Sequence, residues 1–301
     1  MADAPSPTSE PATQVLYEEP APGVARIVMN RPERRNAQGV VMTHELDDAF
    51  RRACHDDKIS VIILAGAGDH FNAGHDLGID EPPDPTPENA RGFWGQFDAD
   101  GWEGTYSREH EVYLDACERW RNAPKPIIAE VQGACVTGGM TLVWVCDLIV
   151  CAEDARFRDT TGHDLSMPGV EFFQHSYEMT TRQAKEWLFT GDWMDAETAL
   201  KRGMVNHVVP RENLSQAALD LAIKVARTDR FTLKLIKESI NGAQDAMGRR
   251  EAMKYSFALH QIGHLHNMLA HGYPVDISRV SPSIQEKLRI RWKRHEAPTR
   301  A

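Results

Sequence analysis

Residues 131–147 constrain the fold of this chain more than any other stretch. The apolar residues before them predict a buried strand, which runs into small residues and the pair Gly138-Gly139 before a helix that ends near Asp147. A glycine between a strand and a helix leaves its backbone N–H open to a ligand, because no side chain shields it. Such an N–H stabilises an anion or a developing oxyanion. The stretch therefore predicts a strand–loop–helix unit of an α/β protein with an anion-binding N–H.

Composition narrows the class of protein. The 301-residue chain carries a net charge of −10, which argues against nucleic acid as its main partner. No run approaches the ~20 apolar residues of a membrane span. Residues 1–14 are rich in Pro, Ala, Ser and acidic residues, so we expect a disordered leader on a cytoplasmic protein. The five cysteines have no C-x-x-C spacing and are expected to be buried free thiols.

Strand and helix patterns alternate along the chain and predict an α/β layered core. We place this core at 15–210, with an insertion at 81–106, and a mostly helical region at 211–301. The expected strands are 15–19, 24–29, 60–65, 126–131, 148–152 and 205–209. The expected helices are 42–53, 108–121, 138–145, 184–188, 195–202 and 214–228, followed by one or two over 231–272.

A second loop has the same character as the glycine pair. Ala73-Gly74-His75-Asp76 follows the buried run 60–65 and is expected to open a helix. Two backbone N–H groups that converge on one carbonyl would stabilise an enolate or a tetrahedral anion. Each loop alone is better explained as a turn with a helix cap.

Four histidines crowd one C-terminal segment. No H-E-x-x-H or comparable ligand spacing accompanies them, so we predict no metal site. They are His260, His264, His266 and His271.

Taken together and in order, several short motifs resemble the crotonase (enoyl-CoA hydratase/isomerase) superfamily over about residues 15–240. The resemblance implies a spiral of ββα units, an acyl-CoA thioester as substrate, no separate cofactor, and a homotrimer or dimer of trimers built through 211–301. The motifs are Asn30-Arg31-Pro32, Asn36-Ala37, Phe71-x-Ala73-Gly74-x-Asp76-Leu77, Gly133 with Gly138-Gly139, Cys146-Asp147, Pro168-Gly169, Leu188-x-Thr190-Gly191, Ala196-x-x-Ala199 and Gly203-Met204-Val205-Asn206.

The resemblance also implies site residues. The thioester oxygen would meet the backbone N–H groups of His75 and Gly138. Arg34 and Arg35 fall in the loop that approaches the CoA nucleotide, although solvated loop charges explain them equally well. Three further residues would lie along the adenine and pantetheine path: Ala73, Asp76 and Leu77.

The catalytic carboxylates of the family are absent from their usual positions. Thr141 stands three residues after the oxyanion glycine, and Thr161 stands seven residues before the Pro-Gly pair. A threonine holds water by hydrogen bonds, but its hydroxyl is no base near pH 7. Glu171, just after Pro168-Gly169, is the best candidate for a carboxylate in the pocket.

His163 and Asp164 offer another acid–base pair, because a histidine beside a carboxylate has a tunable pKa. The same residues are also explained as loop charges and a packed loop side chain. The insertion contributes Phe93, Trp94, Phe97 and Trp102, which either cover a bulky acyl group or pack an extra helix.

Three functions follow from these residues. The first is enoyl-CoA hydratase/isomerase chemistry through a thioester enolate, with lyase or isomerase outcome. The second is a hydrolase or C–C bond-cleaving enzyme that uses His163 with Asp164 or Glu171. The third is a non-catalytic acyl-CoA binder.

Overall fold

The computed structural model describes residues 13–76 and 91–293. Most of the expected leader, Leu77 and the proline-rich part of the insertion lie outside the described residues. None of the helices in the described ranges has the length and hydropathy needed to span a bilayer.

A six-stranded sheet forms the centre of the molecule. Its order is β1-β2-β3-β6-β8-β11, with β1 antiparallel to β2 and the other neighbours parallel. β3 is buried along its whole length, as its continuous apolar run predicts. The strands are β1 (Val15–Ala21), β2 (Val24–Met29), β3 (Val61–Gly66), β4 (Arg91–Gly92), β5 (Gly95–Gln96), β6 (Ile127–Val131), β7 (Ala134–Val136), β8 (Leu148–Ala152), β9 (Arg156–Arg158), β10 (Met194–Asp195) and β11 (His207–Val209).

Helices cover both faces of this sheet. The helices are α1 (Val40–His55), α2 (Glu103–Glu109), α3 (Ala116–Arg121), α4 (Gly138–Trp144), α5 (Thr161–Leu165), α6 (His175–Glu178), α7 (Thr181–Thr190), α8 (Ala196–Lys201), α9 (Leu214–Ala226), α10 (Arg230–Ala246), α11 (Arg249–His271) and α12 (Pro282–Lys293).

The two faces of the sheet have separate cores. Ile62 and Leu64 of β3 pack in the larger cluster with α1 and α4. Val61 and Ile63 point the other way and pack against α9. This alternation follows from the two-residue period of a strand. It gives the α/β layers that the sequence predicts.

A second sheet was not predicted. It has the order β10-β9-β7, and its strands are only two or three residues long. Strands this short leave little hydrophobic alternation to read. An isolated bridge between Asn72 and Cys135 of β7 joins the loop before Gly74 to this sheet.

The aromatic side chains of the insertion do not all pack in the same way. Phe93 is 96% exposed and Trp94 is half exposed, so neither is a core contact of an extra helix, whereas Phe97 packs against a small buried cluster that includes Val112. Trp102 instead donates a hydrogen bond from Nε1 to Gln261 of α11, at 2.8 Å. The expected helix 108–121 begins earlier, at α2, and continues through a π-helical stretch, His110–Asp115, into α3.

The C-terminal region places α11 against the core. Its buried residues recur at helical spacing and include Met253, Phe257, His260 and His264. The opposite face is exposed and apolar. It carries Tyr255, Ile262, Leu265 and Leu269.

Candidate active site

The two glycine loops meet in space. The Gln38 amide Nε2 lies 3.1 Å from the Gly138 carbonyl oxygen and 3.1 Å from His75 Nδ1. A Cβ on Gly138 would lie 2.5 Å from the His75 ring, so only glycine fits beside this imidazole. A Cβ on Gly74 would clash with the Thr137 hydroxyl, and Gly74 also has a φ of 95°. The glycines are therefore required for the close approach of the two loops.

The backbone N–H groups at this junction lack a protein acceptor among the described residues. Within residues 13–76 and 91–293, neither the His75 nor the Gly138 N–H donates to a protein acceptor. Thr137, directly before Gly138, holds φ 45° and ψ −110°. A non-glycine residue in such a conformation costs about 1–3 kcal/mol, and strain of this kind clusters at functional sites.

Glu171 lies beside the His75 ring. The side chain is buried, and its Oε2 is 3.0 Å from His75 Nε2. Its Oε1 is 3.5 Å from His260 Nε2 of α11. Burial raises the pKa of this carboxyl, but the His75 and His260 imidazoles outweigh it and hold the pKa well below its ordinary value. Glu171 is therefore an ionised acceptor at neutral pH.

The hydrogen bonds of His75 define its tautomer. The Gly138 carbonyl only accepts, so the nitrogen of the Gln38 amide must face it and also face His75 Nδ1. Nδ1 is then the acceptor, and Nε2–H donates to Glu171. Tyr113 stacks on the imidazole with ring centroids 3.7 Å apart. These contacts fix the orientation of the ring.

A second buried carboxylate, Glu109 of α2, lies behind this pair. Its Oε1 is 3.4 Å from His264 Nε2, and its Oε2 is 3.9 Å from His260 Nε2. Gln261 donates to Oε2 at 2.8 Å. Burial raises the pKa of Glu109, but His264 and His260 outweigh this and lower it.

The two threonines at the glutamate positions bond within the protein. Thr141 is buried and donates to the Gly138 carbonyl at 2.7 Å. Thr161 is buried and donates to Asp159 at 2.5 Å. Each hydroxyl thus serves the local backbone or a neighbouring carboxylate.

His163 and Asp164 lie on α5, which replaces the loop expected there. The His163 side chain is 48% exposed, and its Nδ1 lies 2.6 Å from Asp164. Arg158 lies 3.5 Å from Asp164, and Arg279 donates to the His163 carbonyl. Their contacts join them to each other and to surface arginines rather than to Glu171 or His75.

The residues expected along the CoA path lie in the loop at 73–76 or beside it. Arg35 is exposed, and its carbonyl accepts from the Ala73 N–H at 2.9 Å. Arg34 is half-buried. Asp76 pairs with Arg31 at 2.8 Å, which ties the loop at 73–76 to the loop that carries Arg34 and Arg35. Leu77 lies outside the described residues.

Comparison with known proteins identifies the family of this chain. The family model described as enoyl-CoA hydratase/isomerase matches residues 19–264. The chain belongs to the enoyl-CoA hydratase/isomerase family. It is 38% identical to EchA13 of Mycobacterium tuberculosis, which carries an enoyl-CoA hydratase name, over 89% of this chain and 88% of that protein.

Solved structures of this family share the fold. A Mycobacterium smegmatis structure named as an enoyl-CoA hydratase is 39% identical, with a TM-score of 0.77, over 87% of this chain and 98% of that chain. An enoyl-CoA hydratase/isomerase from Xanthobacter autotrophicus Py2 is 28% identical, with a TM-score of 0.73, over 95% of this chain and 99% of that chain. The crotonase fold predicted from the motifs is therefore confirmed.

Three residues around the site were missed by the sequence analysis, and two histidines were named there without this role. Gln38 and Tyr113 carry no motif and reach His75 only through the fold. Glu109 looks like an ordinary helix charge. His260 and His264 are four residues apart on one helix, a spacing that places both on one face and was available in the sequence.

Proposed function

We propose that the protein processes acyl-CoA thioesters by forming a thioester enolate. The backbone N–H groups of His75 and Gly138 would bind the thioester oxygen, and Glu171 would carry the proton. The unpartnered N–H pair beside a buried, ionised carboxylate is the observation that supports this proposal. Preorganised donors of this kind stabilise charge that develops in the transition state.

One carboxylate is sufficient for the two proton transfers in the hydration of an enoyl thioester. Glu171 takes a proton from water, and the hydroxyl oxygen bonds to the β-carbon. The electron pair of the double bond moves onto the thioester oxygen, where the two N–H groups stabilise it. Glu171 then returns the proton to the α-carbon, so that the net change is addition of one water.

Double-bond isomerisation is a second candidate. It requires a single base that removes a proton from one carbon of the acyl chain and returns it to another, with the same enolate between. The internal hydrogen bonds of Thr141 and Thr161 favour it, because neither hydroxyl has to hold a reacting water. The alternative base, His163 with Asp164, is less favoured because these two residues contact each other and Arg158 rather than Glu171 or His75.

The test is a steady-state assay of Glu171→Gln on a series of 2-enoyl-CoA and 3-enoyl-CoA thioesters. We expect the wild type to turn over, and the variant to lose about 10²- to 10⁴-fold in kcat while it still binds acyl-CoA. His163→Ala is the matched control and should retain wild-type kcat. If Glu171→Gln keeps wild-type kcat, the assignment of Glu171 is wrong. Tight binding without turnover by the wild type would support the non-catalytic binder.

We also propose a homotrimer or a dimer of trimers. The exposed apolar face of α11 supports self-association, since monomers rarely leave such continuous apolar surface in water. Light scattering on the full-length protein measures the mass. A monomer at micromolar concentration would contradict this proposal.

A further inference from the structure

Three buried side chains form a separate cluster behind the proposed active site. Glu109 comes from α2, and His260 and His264 come from successive turns of α11. One ligand atom from each lies within 4.8 Å of the other two. Their exposed fractions are 5%, 4% and 7%, respectively. The proposed reaction uses none of the three.

The shortest separation in this cluster is that of a coordination shell, and the others are somewhat longer. The two Nε2–carboxylate separations are 3.4 and 3.9 Å, and neither imidazole Nε2 makes a hydrogen bond among the described residues. Zinc bonds of 2.0–2.2 Å in tetrahedral geometry place neighbouring ligand atoms about 3.3–3.6 Å apart. The two buried Nε2 atoms therefore face Glu109 at ion-pair distance without a hydrogen bond to any described residue, and the separation from His264 is that of two ligands on one ion.

Each of the three side chains is already oriented by an outer hydrogen bond. His260 Nδ1 lies 2.7 Å from the Gly169 carbonyl, and His264 Nδ1 lies 2.6 Å from the Pro274 carbonyl. Because carbonyls only accept, both Nδ1 atoms carry the hydrogen and both Nε2 atoms face the cluster. Gln261 donates to Glu109, as described above. Metal-binding histidines and carboxylates are held in this manner by their second shell.

We propose that Glu109, His260 and His264 bind a divalent transition metal ion of the zinc class. Two imidazoles and one carboxylate form a ligand set that suits such ions, and three protein ligands leave a position for water or substrate oxygen. Glu171 lies next to the ion, because its Oε1 is 3.5 Å from His260 Nε2. His260 thus contacts both the proposed metal site and the proposed proton carrier. The site does not depend on which thioester reaction the enzyme catalyses.

The test is metal binding by the full-length protein. Protein freed of metal with a chelator is titrated with Zn²⁺ by calorimetry and with Co²⁺ by visible absorption. We expect one ion per chain and a Co²⁺ spectrum of low-symmetry coordination. His264→Ala and Glu109→Gln should abolish both signals. His266→Ala, which removes an exposed histidine two residues along the same helix, should leave them unchanged.

Two further measurements separate loss of the site from loss of the fold. Gln261→Ala leaves all three ligands in place and should weaken Zn²⁺ binding by about 10- to 100-fold, as second-shell substitutions do. Circular dichroism should show native helix content in each variant. Absence of stoichiometric Zn²⁺ or Co²⁺ binding by the wild type, or binding lost in His266→Ala but kept in His264→Ala, would overturn the proposal.

Discussion

Two buried carboxylate–imidazole pairs in this molecule have similar distances and different surroundings. In the first, Glu171 accepts a hydrogen bond from His75 at 3.0 Å, and the His75 side chain is 19% exposed. In the second, Asp159 lies 3.0 Å from His175, and both side chains are fully buried. The second pair is enclosed by three aromatic rings, those of Trp144, Phe173 and Trp187.

The difference shows what makes such a pair functional. Glu171–His75 adjoins two unpartnered N–H groups and an imidazole in contact with solvent, so a substrate could reach it. Asp159–His175 has no exposed atom, and Thr161 occupies the other carboxylate oxygen of Asp159. We therefore interpret the first pair as catalytic and the second as structural. Glu171→Gln should thus change kcat, whereas the equivalent change at Asp159 should change stability.

The largest expected difference between the two pairs is the loss of folding stability in Asp159→Asn. The change removes the charge and one hydrogen-bond acceptor from a fully buried carboxylate–imidazole pair, so the free energy of unfolding should fall by about 3 kcal/mol while kcat of the folded enzyme stays near wild type. Urea denaturation measures this. Asp154→Asn, which breaks an exposed pair with Arg211, is the control and should cost less than about 1 kcal/mol. A stable variant with kcat lowered 100-fold would place Asp159 in the catalytic machinery instead.

The second prediction concerns the loss of folding stability at acidic pH. Burial raises the pKa of Asp159, but His175 and the hydrogen bonds from Thr161 outweigh this and lower it. A carboxyl whose pKa is lower in the folded state stabilises the fold above its unfolded pKa of about 4, and this contribution is lost as the pH falls through the folded value. Urea denaturation from pH 7 to pH 3 should therefore show a steeper loss of stability for the wild type than for Asp159→Asn. Parallel curves of stability against pH for the two proteins would contradict a lowered pKa of Asp159 in the folded state.

A smaller effect is expected at Gln38, which holds the tautomer of His75. Gln38→Leu removes the donor to His75 Nδ1, so Nε2 no longer has to carry the hydrogen that bonds to Glu171. The loss of the hydrogen bond to His75 corresponds to about 3- to 10-fold in kcat, and the loss of the bond to the Gly138 carbonyl costs about 1 kcal/mol of folding stability. KM for acyl-CoA should stay within about 2-fold, since the backbone N–H groups remain. Equal losses in kcat and folding stability would indicate a structural role alone.

The smallest effect is expected at Thr141. Thr141→Val removes a hydroxyl that donates to the Gly138 carbonyl, and the free energy of unfolding should fall by about 1 kcal/mol. The kcat should change by less than about 3-fold, because the hydroxyl is already engaged within α4. A loss of 100-fold in kcat with unchanged stability would mean that Thr141 holds the reacting water.

Local patterns in the sequence predicted the parts of this molecule that depend on neighbours along the chain. The apolar run of β3, the helix that begins at Gly138 and the helices of the C-terminal region each follow from periodicity and glycine placement. The short strands of the second sheet were missed, because two or three residues carry no period. α5 was read as a loop for the same reason, since it spans a single turn.

Contacts between distant segments could not be predicted in this way. Gln38 bonds to Gly138 across 100 residues, and His260 bonds to Gly169 across 91. Glu171 was proposed from its place after Pro168-Gly169, and that assignment stays a prediction. Its contact with His260 of α11 became visible only with the fold, because the four-residue spacing of His260 and His264 shows that they share a helix face but not what that face meets.

Helix α11 has two faces with different surroundings. Its inner side places His260 beside Glu171, while Ile262, two residues later, is more than half exposed on the outer side. If copies of the chain associate through that outer face, as proposed above, they would bind the same helix that carries His260. Association depends on protein concentration, so dilution would then leave α11 without the contacts that stabilise it.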